Sequence, residues 1–168
     1  MKNISFRDDV LPLKNVLYRL ALRITLSREE AEDIVQDTLL KVWNRRDDWH
    51  DIDSIEAFSL TVCRNLSLDR IKKASGQPVD TDEAAAESED DDPYERAAQR
   101  DRVEQVRRIV DSLPEKQRSC MQLRDFEGKS YKEIARALAI SEEQVKVNIF
   151  RARQAVKQKF DEIERYGL

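Results

Sequence analysis

Residues 76–95 carry nine acidic side chains, no basic one and almost no large apolar one. Gly76, Pro78, Pro93 and the run Ala84-Ala85-Ala86 complete the segment. It cannot bury enough surface to offset the entropy of ordering it. A structureless stretch of about 20 residues inside one compact domain is uncommon. The chain is therefore expected to divide into a first block at 1–76, an acidic linker at 77–97 and a second block at 98–168. The alternative is a long surface loop on a single domain.

The formal net charge of −4 conceals this division. Residues 1–75 carry 13 basic and 13 acidic side chains, whereas residues 96–168 carry 17 basic and 12 acidic. Three glycines and four prolines in 168 residues argue against a turn-rich β fold. Apolar periodicities of three and four on both sides of the linker predict an all-α chain of two small helical domains. No apolar run approaches the ~18 residues of a membrane span. Asp8 and Asp9 stand where a secretory signal would need apolar residues. Cys63 and Cys120 are far apart, and His50 is the single histidine. Neither a zinc site nor a disulfide framework is expected, and the compartment is read as a reducing cytoplasm. There is no Ser/His/Asp set, no phosphate-cradling glycine loop and no metal cluster, so no enzymatic activity and no cofactor are expected.

In the first block, Leu13, Val16, Leu17, Leu20, Ala21 and Ile24 define one helical face over roughly 10–25, with Pro12 near its start. Ser27 and Glu30 have capping-box spacing and open a second helix near Arg28. Ala31, Ile34, Val35, Leu39, Val42 and Trp43 form its apolar side. Asp33, Gln36, Asp37 and Leu40 lie opposite, at i, i+3, i+4 and i+7. An acceptor-rich stripe holding one leucine suits a partner helix bearing arginines. From the pattern alone, that reading and a solvated face stay equally open. A third helix is expected from Ser54 to Lys73, with Phe58, Val62 and Leu66 toward the core. Arg64, Asn65, Asp69, Arg70, Lys72 and Lys73 make its C-terminal half polar. Such a half either complements the helix dipole or meets phosphates and bases. Trp49, in the loop before it, is expected to pack on the core; a loop holding an unstacked base is the minority reading.

In the second block, Val103, Val106, Ile109, Val110 and Leu113 mark a helix that stops before Pro114. Pro114 is read as the first residue of the next helix, which extends to about Asp125, with Gly128 as its breaker. Ser130 to Glu133 and Ser141 to Gln144 then give two helix starts separated by a short turn. Ile134, Ala135, Leu138 and Ile140 supply the packing face between them. This is the spacing of a helix-turn-helix. The second of these helices packs through Val145, Ile149, Ala152 and Val156. Lys146, Val147, Phe150 and Arg151 project from its other side, where a recognition helix meets base edges. Arg153, Lys157 and Lys159 lie further along, suited to phosphates. Phe150, an exposed aromatic in a basic helix, suits a thymine methyl.

Taken together, "YRLALRIT", "AEDIVQDTLLKVW" at 31–43, "AFSLTVCRNLSLDRIKK" at 57–73 and "LPEKQRSCMQLRDFEGKSYKEIARALAISEEQVKVNIFRARQAVKQKF" at 113–160 resemble the extracytoplasmic-function (ECF, group IV) sigma factors of bacterial RNA polymerase. The resemblance implies that Asp33, Gln36, Asp37 and Leu40 dock on the β′ clamp helices of core polymerase. It implies that Trp49, Arg64, Asn65, Asp69, Arg70 and Lys72 engage the −10 element, with Asn65 contacting an extruded base. Lys146, Val147, Phe150 and Arg151 would read the −35 element, with Tyr131, Ser141, Arg153 and Lys157 on phosphates or caps. It also implies a β-flap contact, a linker threaded through the RNA-exit path and a separate anti-sigma protein. Ser59, Leu60 and Cys63 depart from the larger apolar residues and the alanine frequent in that family. Two rivals fit the residues less fully: a dimeric helix-turn-helix regulator acting without polymerase, and a helical interaction module that never touches DNA. Both leave the stripe and the linker, or the basic helix, without a role.

Overall fold

Ser27 opens a helix because its hydroxyl Oγ accepts the otherwise unpaired Glu30 N–H at 3.3 Å, and the acidic Glu29 and Glu30 complement the positive end of the helix. In the computed structural model, residues 3–75 and 102–166 are described. The acidic segment 77–97 lies outside the described residues. Helix α1 spans Lys14–Thr25, α2 Arg28–Asn44 and α3 Ile55–Ser75. The run expected as one helix from about residue 10 changes helix type before α1 begins at Lys14. Two short helical pieces, Phe6–Val10 and Leu11–Leu13, precede α1, the second holding Pro12. A tight helical turn, Arg46–Asp51, joins α2 to α3. Leu17, Leu20, Ala21 and Ile24 of α1 meet Ala31, Ile34 and Val35 of α2 and Leu60 and Cys63 of α3. A second cluster of Val10, Val42 and Trp49 closes the far end of this bundle.

The second block begins with α4, Arg102–Asp111, followed by α5, Glu115–Met121, which runs into a wide helical turn over Gln122–Phe126. Pro114 stands one residue before α5, at its cap, rather than inside it. Gly128 adopts φ +71°, and a Cβ there would meet no atom within 4 Å, so backbone conformation is what the position requires of glycine. Helices α6, Tyr131–Leu138, and α7, Glu142–Tyr166, form the helix-turn-helix. The turn pivots on Ala139, whose φ of 56° is left-handed. Among the described residues there is no strand.

The two blocks are not separate in space. Helix α1 packs on α5, and α3 packs on α6. One apolar core runs across the junction, joining Leu17, Leu20 and Cys63 to Cys120, Leu123, Ile134, Ala137 and Leu138. Of the residues expected to face inward, Phe58 and Leu66 pack against the core clusters, but they are not the most enclosed part of α3. Its buried residues are Ser59, Leu60, Cys63, Arg64 and Ser67, while Phe58, Val62 and Leu66 are only half-buried. The reason is that α3 is covered on two sides: Cys63 Sγ donates to the Leu17 carbonyl of α1 at 3.3 Å, while Arg64 meets Glu115 of the second block. Small residues allow that approach. Their hydroxyls are satisfied along the helix, Ser59 Oγ donating to the Ile55 carbonyl at 2.7 Å and Ser67 Oγ to the Cys63 carbonyl at 2.8 Å.

Leu17 is fully buried at the centre of the shared core. Leu17→Ala is expected to destabilise the chain by about 2–5 kcal/mol, read from denaturant unfolding. A second outcome concerns pH. Burial pushes the Cys63 and Cys120 thiols up to about 12 from their ordinary 9.0. The folded chain therefore holds these protons where the unfolded chain releases them. Their contribution to stability is complete below pH 9.0 and is lost as pH rises toward about 12. The urea midpoint should fall more steeply above pH 9.0 in the parent than in Cys63→Ala/Cys120→Ala.

Candidate polymerase and promoter interfaces

Helix α2 presents Asp33, Gln36, Asp37 and Leu40 away from its core face. Asp33 and Gln36 are exposed, Asp37 is half-buried and Leu40 is 59% exposed. Leu40 shares its exposure with Trp43, over whose ring the Arg46 guanidinium lies 4.6 Å from the centroid. The carboxylates are not free. Arg70 reaches from α3 to bond Glu30 and Asp33, and Asp37 at 2.9 Å. The hydrogen bonds it donates to Asp33 and then Glu30 push the Arg70 guanidinium above its ordinary range. One arginine thus occupies three acceptors that a partner's arginines would also seek.

Of the residues expected at the −10 element, Arg70 is half-buried on the α2 carboxylates, and the others separate into two groups. Asn65, Asp69 and Lys72 are exposed along the outer side of α3. Trp49 and Arg64 are buried. Trp49 is 8% exposed, donates Nε1–H to the Val42 carbonyl at 3.0 Å, and meets Trp43 edge-on with centroids 6.2 Å apart. In this arrangement it offers no free ring face to a base. Arg64 makes a two-pronged ion pair with Glu115 of α5, Nε and Nη2 each 3.0 Å from a carboxylate oxygen. Its side chain is 10% exposed and that of Glu115 3%. Arg64 is therefore closed to DNA while the blocks are packed together.

Helix α7 begins with a reciprocal cap. Ser141 N–H donates to Gln144 Oε1, and Gln144 N–H to Ser141 Oγ, each at 3.1 Å. Ser130 caps α6 in the same way, accepting Glu133 N–H at 3.1 Å. Both hydroxyls are engaged as caps. Val145, Ile149 and Ala152 are buried against the rest of the block. Lys146, Val147, Phe150 and Arg151 are all exposed, and Phe150 is 64% exposed. The Tyr131 ring lies between Arg124 and Lys146, 4.5 and 5.7 Å from its centroid. Arg153 is held by Asp125, Nη2 to Oδ1 at 2.6 Å; Lys157 is exposed. That hydrogen bond raises the Arg153 guanidinium above its usual range.

Sequence reasoning did not find the partners across the junction. Arg19 bonds Glu127, Nη2 to Oε2 at 2.8 Å, and Arg23 bonds Asp111 at 2.7 Å and Gln122 at 2.9 Å. The available signal was the i, i+4 spacing of Arg19 and Arg23 beside an apolar face, which also fits an ordinary solvated helix.

A three-helix block with an acid-and-leucine stripe, joined to a helix-turn-helix with an exposed basic reading face, defines a DNA-binding protein that also presents a surface to a partner. Residues 10–77 match the model of Sigma-70 region 2, and residues 103–156 that of Sigma-70 region 4. The chain is 32% identical over 154 residues to the ECF RNA polymerase sigma factor SigL of Mycobacterium tuberculosis, covering 88% of this chain and 84% of SigL. It is 27% identical over 157 residues to the RNA polymerase sigma-H factor of Pseudomonas aeruginosa, covering 88% of this chain and 81% of that protein. Its fold resembles the sigma factor RpoE solved in complex with the anti-sigma factor NepR from Bartonella quintana. The TM-score is 0.70 at 21% identity, over 93% of this chain and 96% of that one. The chain belongs to the sigma-70 family as an ECF RNA polymerase sigma factor. It binds core RNA polymerase and promoter DNA in transcription initiation. The dimeric regulator weighed as an alternative is not supported. Sigma factors are not enzymes, and they are cytoplasmic polymerase subunits. Among the described residues, no helix is long and apolar enough to cross a membrane.

Proposed function

We propose a division of labour within this sigma factor. The first block, 1–76, docks on the β′ clamp helices through Asp33, Gln36, Asp37 and Leu40. It captures an unpaired −10 base on α3, with Asn65 reading it and Asp69 and Lys72 beside it. Arg64 and Arg70 join that surface once their present carboxylate partners are taken away. The second block, 98–168, sits near the β flap and reads the −35 element with Lys146, Val147, Phe150 and Arg151. Lys157 meets phosphate, as does Arg153 when it leaves Asp125. Tyr131 serves to position Lys146. The acidic stretch 77–97 follows the RNA-exit path. A separate anti-sigma protein restrains the factor, as NepR accompanies the Bartonella protein of similar fold.

The observation that carries this reading is the four-residue exposed face of α7. Two apolar side chains, Val147 and Phe150, stand between Lys146 and Arg151 on the N-terminal half of a 25-residue helix. Solubility alone has no use for that pattern, whereas a major groove presents methyl groups beside hydrogen-bonding edges. The chain performs no covalent step. Promoter opening draws on binding energy, since unstacking a base costs a few kcal/mol and two tethered contacts reinforce each other.

Asp37→Arg should abolish binding to core polymerase while leaving far-UV circular dichroism and the melting midpoint near the parent's. Normal assembly of the holoenzyme by this variant contradicts the docking role. Arg151→Ala should weaken promoter binding by about 1–3 kcal/mol and relax preference at one base pair. A loss equal on all sequences reassigns Arg151 to phosphate.

A further inference from the structure

Opposite its packing stripe of Val145, Ile149 and Ala152, α7 carries two large apolar side chains that the fold does not use. Val147 is 45% exposed and Phe150 64%. They stand three positions apart, so they are neighbours on the helix surface, roughly 5–6 Å between Cβ atoms. Two other exposed rings have cover: the Arg23 guanidinium lies 5.3 Å from the Phe126 centroid, and that of Arg46 4.6 Å from Trp43. Among the described residues, no ring and no cation covers Phe150.

Cations bracket the apolar pair. Lys146 precedes Val147, Arg151 follows Phe150, and both are exposed. Among the described residues neither has a carboxylate partner, whereas Arg153, further along the same helix, is held by Asp125. Lys146 rests 5.7 Å from the Tyr131 centroid, so its ammonium is steadied without being neutralised. At about 1.5 Å of rise per residue, the order along the axis is cation, apolar, apolar, cation within about 7.5 Å. Base pairs stack about 3.4 Å apart, so the row laid along a groove covers roughly three of them and its apolar pair about one step.

The chemistry of the major groove says what such a row can recognise. Cations take the N7 and O6 acceptors of guanine, and the apolar group on that edge is the C5-methyl of thymine. Uracil is thymine without that methyl. Cytosine carries hydrogen at the same carbon, and 5-methylcytosine restores the methyl there on a C·G pair. Phosphates offer an apolar side chain nothing, so Val147 and Phe150 gain from DNA only where a methyl leaves water with them.

We propose that Val147 and Phe150 make −35 recognition by this chain depend on C5-methyl groups. The element presents methyl-bearing pyrimidines on two neighbouring base pairs, and a 5-methylcytosine at either pair binds more tightly than cytosine. The proposal rests on the reading of α7 as the −35 helix. Phe150 and Val147 are then specificity-determining residues, while Lys146 and Arg151 supply the polar contacts at either end. Cytosine C5 methylation of a promoter becomes a modification this factor senses directly, through contact with the added carbon.

The test removes methyl groups and nothing else. Holoenzyme assembled from full-length protein and core polymerase selects its preferred duplexes from a library randomised across the −35 region. Each thymine of the selected element, on either strand, is then replaced singly by deoxyuridine, and the Kd of the holoenzyme is measured. At two neighbouring base pairs uracil should weaken binding about threefold to fivefold, the effect of one methyl-sized group kept from water. The loss should be equal at low and high salt, because no phosphate contact changes. Phe150→Ala should remove the uracil penalty at one of these pairs and Val147→Ala at the other; both side chains are exposed, so the buried face of α7 is untouched. Cytosine placed at the same pairs should bind more tightly when methylated at C5. Uracil tolerated at every thymine overturns the proposal. So do a penalty that persists in both alanine variants, a selected element without thymines at neighbouring pairs, and a methylated cytosine bound no more tightly than an unmethylated one. Lys146→Ala/Arg151→Ala separates these failures from failure of the −35 reading. If α7 does not read the element, that variant selects the parent's −35 sequence. If it selects a different sequence while uracil is tolerated, the methyl contact alone has failed.

Discussion

The contact between Arg64 and Glu115 ties the molecule together at its centre. Each partner is almost wholly enclosed, and they come from blocks on opposite sides of the acidic segment. Glu115 also accepts the Ser119 hydroxyl at 2.7 Å, so its second role is to brace the start of α5. Removing either charge alone would leave the other buried without a counterion, an outcome far costlier than losing the pair together. Around it, the packing of α1 on α5 and α3 on α6 follows from shape and apolar surface. The ion pair selects which face meets which.

Much of this fold was legible in the chain. The apolar periods of α1 and α2, the Ser27, Ser130 and Ser141 caps and the stop before Pro114 are local signals, and local signals survive folding. The exposed face of α7 was legible too, because Val145, Ile149 and Ala152 leave only one side outward. The inward face of α3 was legible only in part, since Phe58 and Leu66 do pack against the core. Phe58, Val62 and Leu66 are its bulkiest regular set, yet Ser59, Cys63, Arg64 and Ser67 are more enclosed. Cys63 is enclosed against α1 of its own block, and no period within α3 encodes the contact that encloses Arg64 with a second block distant in sequence. The same nonlocal contact conceals Arg64, which as an isolated letter reads as a solvated or DNA-facing cation.

The candidate interfaces show how one set of charges serves competing partners. Arg70 holds Glu30, Asp33 and Asp37 of the stripe proposed for polymerase, and Arg153 is held by Asp125 beside the basic helix. Exposed pairs of this kind are worth little by themselves. They are exchangeable, so a competing partner can displace them at small cost. With an overall charge of −4, the free chain has little long-range attraction for DNA. Specific binding then depends on polymerase to hold both blocks at the right separation.

The most direct measurement is the distance between the blocks, free and in the holoenzyme. Nitroxides on cysteines placed at the exposed positions Asn15 of α1 and Glu162 of α7 would report it by pulsed electron resonance. The packing of α1 on α5 and of α3 on α6 predicts one short, narrow distance for the chain alone, and simultaneous contact with two promoter elements predicts a longer one once core polymerase is bound. A broad distribution in the free chain, or a distance unchanged by polymerase, would contradict it.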